Sequence, residues 1–178
     1  MQRSLVGSAC IEFWLREDGT EKKIVFSGDV GNIDQPILND PLPVAETDYL
    51  VVESTYGNRL HDKPKDVRAE LTEVLQRAFD RGGSVIIPAF AVGRTQELLY
   101  LLREIKQKKL VHGHDGFPVY LDSPLAEEAT SVFLQCDTDC FDPETQAVLR
   151  SGQNPIWCPG LQFAITAEDS KAINSDPR

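Results

Sequence analysis

From residue 48 onward, short apolar runs alternate with segments whose apolar residues repeat with a helical period. DYLVVEST is a nearly continuous apolar run, which predicts a strand in a sheet covered on both faces. After Lys65 the apolar side chains recur on one face of a helix, which we predict to end at Gly82-Gly83. The residues on that face are Val67, Leu71, Val74, Leu75, Ala78 and Phe79.

The same alternation continues to the end of the chain. SVIIPAF, PVYLD and LQFAIT predict strands, and TQELLYLLREIKQ, PLAEEATSVFLQ and ETQAVLR predict helices. In the second predicted helix, the residues expected to face inward are Leu98, Leu99, Leu101, Leu102 and Ile105. Strands that alternate with helices favour right-handed crossovers and parallel pairing. We therefore predict an α/β fold with a parallel-rich sheet flanked by helices.

The first 47 residues have a different pattern. CIEFWL alternates apolar and polar positions, EDGT supplies an Asp-Gly turn, and KKIVF returns, which predicts an antiparallel hairpin. Residues 30–47 are rich in Pro, Asn and Asp and predict a loop. We expect two unequal pieces, residues 1–55 and 56–178, with the join near residues 45–60.

Composition excludes some classes of protein. The 178 residues are 41% apolar and 26% charged, which is typical of a globular domain, and no apolar run is long enough to span a membrane. MQRSLVGSAC does not resemble a secretory signal, and the four cysteines are scattered, so we expect reduced thiols in a cytoplasmic protein. The formal charge of −10 argues against non-specific electrostatic binding of nucleic acid over the whole surface.

Polar residues follow the predicted strands where each strand ends. Asp29 follows IVFSG, Glu53 ends DYLVVE, and Arg94 lies beyond SVIIPAF. Asp122 and Ser123 follow PVYL. In open α/β sheets, ligands bind beyond the carboxyl ends of the strands. The pattern therefore favours a functional site at this edge.

Each of these groups has an alternative explanation. A carboxylate after glycine has an uncrowded approach for a metal ion, but Asp29 could instead form an Asx-turn. Glu53 could donate or accept a proton with a pKa raised by burial, or it could bond the backbone amides of the STYG turn. Arg59 and His61 would face one substrate if the segment is extended. His112 and His114 in HGHD lack the HxHxDH spacing of a metallo-hydrolase, so we expect a structural or solvent role.

Four segments together resemble the β-CASP branch of the metallo-β-lactamase fold, a family of RNA-processing nucleases. They are FSGD, VVESTYGNRLH, GGSVIIPAFAVGRTQELLYLL and VYLDSPLAEEAT, in the family's order. The resemblance implies a Rossmann-like β-CASP domain, incomplete at its C-terminus. An antiparallel hairpin piece of a metallo-β-lactamase αββα sandwich would precede that domain.

The resemblance also implies roles for the residues that match its motifs. Asp29 would be catalytic as a ligand that bridges two zinc ions, and Glu53 would be catalytic by assisting proton transfer. The two metals of such an enzyme hold a hydroxide that attacks the phosphodiester in line. Arg94 would lie near the interface between two domains. The residues expected to bind the RNA substrate are Tyr56, Arg59, His61, Arg94 and Ser123.

The sequence also departs from the family pattern. It contains no HxHxDH motif, and Ser4 stands where the family has the histidine of AGHxLGSA. Of the family's metal ligands, only Asp29 can be placed. We therefore expect a middle piece of a longer zinc-dependent ribonuclease, inactive and with negligible zinc in isolation. The expected partner is RNA and not a membrane, and a homodimer through other segments of the parent stays open.

Three other functions compete with this interpretation. A non-catalytic β-CASP partner subunit would share the same motifs. An RNA-binding or nucleotide-binding α/β module would need no chemistry, but neither GxGxxG nor GxxxxGK[ST] occurs at a strand-to-helix turn. A thioesterase-like hydrolase of the same fold is disfavoured by ESTYG and VGRTQE, which belong to the inserted β-CASP domain.

Overall fold

The computed structural model describes residues 9–60, 66–136 and 138–174. The chain divides into two compact units. The described parts of Met1–Asp62 and Cys136–Ala147 form the first unit, and those of Lys63–Gln135 and Val148–Arg178 form the second. The assignment of 1–55 and 56–178 to two domains stays a prediction.

The first unit contains a sheet of three strands. They are β1 (Ile11–Glu17), β2 (Thr20–Phe26) and β3 (Tyr49–Val51), in that spatial order. β1 and β2 pair antiparallel through a turn in which Asp18 and Gly19 have φ angles of 47° and 76°. Positive φ at both central positions is the geometry that Asp-Gly favours. The predicted hairpin is therefore confirmed.

β2 and β3 pair in parallel, with Phe26 opposite Val51. The carboxyl ends of both strands consequently meet at one edge of the sheet. β3 is the outer strand, and about half of the surface of each of its residues is exposed. The prediction that this strand is covered on both faces is therefore wrong for this chain, because β3 has a pairing partner on one side and no buried residue.

A later segment of the chain returns to the first unit. The short 3₁₀ helix Thr138–Cys140 is followed by Phe141, which forms an antiparallel bridge with Leu38. The N–H of Asp142 donates to the carbonyl of Ile37 at 2.8 Å. Phe141 and Ile37 are both 2% exposed, so this junction is a small apolar core under the loop that connects β2 to β3.

The second unit alternates helices with a pair of parallel strands. Its helices are α1 (Val67–Phe79), α2 (Arg94–Gln107), α3 (Pro124–Leu134) and α5 (Ala167–Asn174). Its strands are β4 (Val119–Leu121) and β5 (Leu161–Phe163), which pair in parallel. α4 (Pro143–Arg150) carries the chain from the first unit back into the second. α5 is a helix that the sequence pattern had not indicated.

α2 supplies much of the core of the second unit. Ile105 is 0% exposed, and Leu99, Leu101 and Leu102 are also buried, as their spacing predicted. Leu98 is only partly buried. α1 ends close to the predicted stop, where Gly82 has a φ of 68° and donates to the carbonyl of Phe79 at 2.8 Å. The predicted helices are thus confirmed at α1, α2, α3 and α4.

The strand predicted for SVIIPAF is wrong. Residues 84–90 have no regular secondary structure, and Ile86 and Phe90 are 91% and 86% exposed. A strand is established by hydrogen bonds to a neighbouring strand, and in the described chain β4 pairs with β5 instead. The fold is therefore mixed α/β, with one small mixed sheet and one parallel pair. Among the described residues, no helix has the length and apolarity needed to cross a bilayer.

Candidate functional site

The turn after β2 is held to β3 by a buried serine. Ser27 is 3% exposed, and its N–H donates to the carbonyl of Val51 at 2.9 Å. Gly28 follows with a φ of 60°, and a Cβ placed there would lie 3.2 Å from the carbonyl oxygen of Ala9. Glycine adopts this left-handed backbone at no steric cost, whereas any other residue would also bring its Cβ close to that oxygen. The glycine of FSGD therefore sets the direction in which the chain presents Asp29.

Asp29 is exposed just beyond this turn. Within the described ranges, its carboxylate forms no hydrogen bond or ion pair, and the contact of an Asx-turn is not seen. An exposed carboxylate next to glycine can be approached by a cation without displacing a protein donor. The geometry is thus compatible with the predicted role of Asp29 as a metal ligand.

Glu53 lies beyond the end of β3, at the same sheet edge. Its Oε1 accepts a hydrogen bond from the N–H of Val30 at 2.6 Å, and its Oε2 accepts one from Oγ1 of Thr55 at 2.6 Å. The N–H of Glu53 donates to Oγ of Ser27 at 3.3 Å. Glu53 is therefore bound to the turn that carries Asp29 by both its main chain and its side chain.

The hydrogen-bond donors around Glu53 shift its pKa. The hydrogen bond from the Thr55 hydroxyl, followed by the one from the Val30 N–H, holds the pKa of Glu53 below its ordinary value. Both donors favour the ionised form, and the side chain is exposed. Of the two alternatives that the sequence left open for Glu53, a pKa raised by burial is therefore wrong. The donors to its carboxylate are the Thr55 hydroxyl and the Val30 N–H rather than backbone amides of the STYG turn. At neutral pH the group is a carboxylate that can accept a proton or a hydrogen bond.

The turn after Glu53 presents an aromatic ring and a guanidinium together. The N–H of Gly57 donates to the carbonyl of Ser54, and the N–H of Arg59 donates to that of Tyr56. The guanidinium of Arg59 lies 4.5 Å from the centre of the Tyr56 ring, which is about half exposed. The fold thus brings Tyr56 and Arg59 together on the segment that begins at Glu53. His61, the third residue predicted here, lies outside the described residues.

Arg94 is the first residue of α2, in the second unit. Its Nη1 lies 2.7 Å from Oε2 of Glu97. Burial raises the pKa of Glu97, and the positive charge of Arg94 opposes that rise. Arg94 therefore has a defined electrostatic partner on its own helix, while its predicted role in substrate binding stays a prediction.

Gln96, in the same segment, has a structural role that was not predicted from the sequence. This side chain is 1% exposed, and its Oε1 accepts from the N–H of Gly93 at 2.7 Å. Its Nε2 donates to the carbonyl of Ala91 and to Oγ1 of Thr130. A glutamine three residues after a glycine, at the start of an apolar helix, is the signal that could have indicated this role.

Ser123 occupies the N-cap of α3. Its Oγ accepts a hydrogen bond from the N–H of Ala126 at 3.2 Å, and its φ of −167° is extended. Neighbouring Asp122 accepts a hydrogen bond of 2.9 Å from Oγ of Ser170. The contact of Ser123 stabilises the start of α3, and its predicted role in substrate binding stays a prediction.

The HGHD segment packs against the C-terminal end of α1. Gln76 receives a hydrogen bond from the N–H of His112 and donates one to its carbonyl. The ring of His114 lies 3.1 Å, Nε2 to Oδ1, from Asp80. These contacts support the predicted structural role of the segment.

A complete zinc site needs three or four donors in good geometry. In the described part of the chain, no three His, Cys, Asp or Glu side chains are grouped so that they could hold a metal ion. Both oxygens of Glu53 already accept hydrogen bonds. The described residues therefore do not make up a zinc site by themselves, and the role of Asp29 as a zinc ligand stays a prediction.

Comparison with known proteins identifies the class. Residues 95–178 match the Beta-Casp domain. A ribonuclease of Thermus thermophilus is 37% identical over 161 residues, which covers 89% of this chain and 36% of that protein. An RNase J-like protein of Methanocaldococcus jannaschii is 34% identical over 177 residues, which covers 97% of this chain and 38% of that protein. The endoribonuclease YSH1 of Candida glabrata is 34% identical over 144 residues, which covers 79% of this chain and 18% of that protein.

The chain therefore belongs to the β-CASP family, as its motifs predicted. Its homologues are β-CASP ribonucleases, and it corresponds to only part of them, since it spans 36% and 38% of the first two relatives.

Proposed function

We propose that the protein to which this chain belongs is a zinc-dependent ribonuclease that hydrolyses RNA phosphodiester bonds. The names of the relatives, a ribonuclease and an endoribonuclease, support the class of reaction. The observation that carries the proposal is the hydrogen bond of 2.6 Å from the N–H of Val30 to Oε1 of Glu53. It joins the turn that carries Asp29 to the turn that carries the second acidic residue, at one sheet edge.

The two carboxylates have different roles in this proposal. Asp29 is a zinc ligand, since its carboxylate is exposed and has no hydrogen bond or ion pair within the described ranges. The other zinc ligands come from residues outside those ranges. Glu53 acts as an ionised acceptor, because two donors stabilise its charged form. It accepts a proton from the attacking water as the water oxygen bonds to phosphorus, and it then returns that proton to the leaving oxygen as the old P–O bond breaks.

Tyr56 and Arg59 are the part of the chain that we assign to RNA. A guanidinium binds phosphate oxygens through paired N–H donors, and an exposed ring offers a face for base stacking. With a formal charge of −10, the chain can bind RNA only through such local groups. His61, Arg94 and Ser123 stay as further candidates for substrate contacts.

Cleavage of single-stranded RNA by the whole protein tests the proposal. We expect Asp29→Asn and Glu53→Gln each to lower kcat by at least about a hundredfold. Asp29→Asn should also lower the zinc content, whereas Glu53→Gln should leave it intact. The matched control is Glu46→Gln, which removes an exposed carboxylate from the loop before β3 and should cleave at the wild-type rate.

Three results would count against parts of this assignment. Wild-type rates in both carboxylate variants would remove this edge from the chemistry. RNA binding without cleavage by the intact protein would favour a non-catalytic partner subunit. Cleavage by the isolated 178-residue chain would contradict the expectation from the sequence that this piece is inactive in isolation.

A further inference from the structure

Thr55 contacts the acidic group that we assign to the reaction. Its Oγ1 donates to Oε2 of Glu53 at 2.6 Å, although both side chains are exposed. An exposed glutamate ordinarily samples many rotamers, and fixing one of them costs conformational entropy. A short hydrogen bond from the same turn offsets that cost and restricts the orientation of the carboxylate.

The second donor to this carboxylate comes from the neighbouring turn. The N–H of Val30 donates to Oε1, and Val30 directly follows Asp29. Each oxygen of Glu53 therefore has one donor, and the two donors lie on different loops. A carboxylate bound at both oxygens has a defined plane, and its remaining lone pairs have defined directions.

The main chain of Glu53 is held separately from its side chain. Its N–H donates to Oγ of Ser27, a buried hydroxyl that itself donates to the carbonyl of Gly28 at 2.7 Å. β3 is also paired with β2 up to Val51. The backbone at Glu53 is therefore placed without Thr55, and the Thr55 hydroxyl acts on the carboxylate.

We propose that Thr55 is a positioning residue for Glu53, fixing the carboxylate so that it accepts a proton or hydrogen bond from the reacting groups. This inference rests on the proposed ribonuclease function. If Thr55 served only to stabilise its turn, its loss would lower stability and leave the rate of the folded protein unchanged.

Two substitutions at Thr55 in the whole protein separate these roles. Thr55→Val keeps the shape of the side chain and removes the donor, so we expect kcat to fall about tenfold to a hundredfold with KM unchanged. Thr55→Ser keeps the hydroxyl and should restore most of the rate. The control is Thr47→Val, which removes a hydroxyl that contacts the carbonyls of Lys23 and Tyr49, and it should leave kcat intact.

A double-mutant cycle tests whether Thr55 acts through Glu53. In a Glu53→Ala background, Thr55→Val should cause no further loss of kcat. An equal loss in both backgrounds, a change in KM alone, or no recovery in Thr55→Ser would overturn the positioning role. Wild-type kcat in Thr55→Val, with Glu53→Ala strongly impaired, would overturn it while leaving the proposed function in place. A whole protein that cleaves no RNA would overturn both.

Discussion

The main-chain N–H of Val30 donates a hydrogen bond of 2.6 Å to Oε1 of Glu53. The contact exists because β2 and β3 are parallel neighbours, so the turns that follow them emerge side by side. Asp29 and Glu53, which are 24 positions apart in the sequence, are thereby brought to one edge of the sheet. The hydrogen bond from the Thr55 hydroxyl, followed by this one from Val30, lowers the pKa of Glu53.

Replacing Gly28 should disturb this edge. Gly28→Ala would place a Cβ on a residue with a φ of 60° and 3.2 Å from the carbonyl oxygen of Ala9. We expect unfolding to become easier by about 1–2 kcal/mol, and the zinc content of the whole protein to fall as Asp29 is displaced. Gly116→Ala is the control, because that Cβ would meet nothing within 4 Å and the φ is not positive. Urea denaturation and metal analysis of both variants measure the difference, and equal effects would contradict the prediction.

Substitution of Gln96 should destabilise α2 more than substitution of most other polar residues of this helix. Gln96→Leu removes the partners of the Gly93 N–H and the Ala91 carbonyl, and each unpaired group costs about 1–3 kcal/mol if it stays buried. Hydrogen exchange at the start of α2 should accelerate accordingly. Gln107→Leu makes the same substitution at the exposed end of the helix and should leave exchange unchanged. If the amides at the start of α2 exchange at the same rate in Gln96→Leu, the hydrogen bonds of Gln96 do not stabilise the helix.

Arg94 should control the protonation of Glu97. Burial raises the pKa of Glu97 and Arg94 lowers it, so Arg94→Gln should raise that pKa further. Because the folded-state pKa lies above the unfolded one, the stability from Glu97 is fully present below the unfolded pKa. It is lost as pH rises through the folded pKa. Carbon-13 titration of labelled glutamates should detect the shift, and Arg77→Gln, which alters an exposed pair with Glu73, should not cause it. A lower pKa of Glu97 in Arg94→Gln than in the wild type would contradict this electrostatic account.

The two histidines of HGHD should differ in their effects. His112 contacts Gln76 through main-chain atoms only, so His112→Ala should be nearly silent in thermal unfolding. The hydrogen bond from Gln76, followed by the one with His114, lowers the pKa of Asp80, so His114→Ala should raise that pKa part of the way back. Neither variant should change zinc content or RNA cleavage. Loss of zinc in either one would show that the segment is a metal site.

The helices could be predicted from the sequence because the information that specifies them is local. The spacing of apolar residues in α1 and α2 reports which face is buried. Gly82 and the Asp18-Gly19 turn likewise supply positive φ angles at positions that the sequence identifies. The strand predicted for SVIIPAF failed because apolar composition indicates burial or pairing without supplying the partner strand. Ile86 is 91% exposed as a result.

By itself the sequence determined the hairpin, the helices α1 to α4 and the position of Asp29 after a glycine turn, because each of these depends on residues close together in the chain. It determined the family through four short motifs, each of them local. Only the tertiary structure decided how Glu53 is held and that its pKa is lowered. Thr55 lies two residues away, but the N–H of Val30 reaches Glu53 only because β2 and β3 pair in parallel. The role of Gln96 was decided in the same way, because its partner Thr130 lies on another helix. Hydrogen bonds between distant segments leave no periodic trace in a sequence, because they depend on which segments the fold brings together.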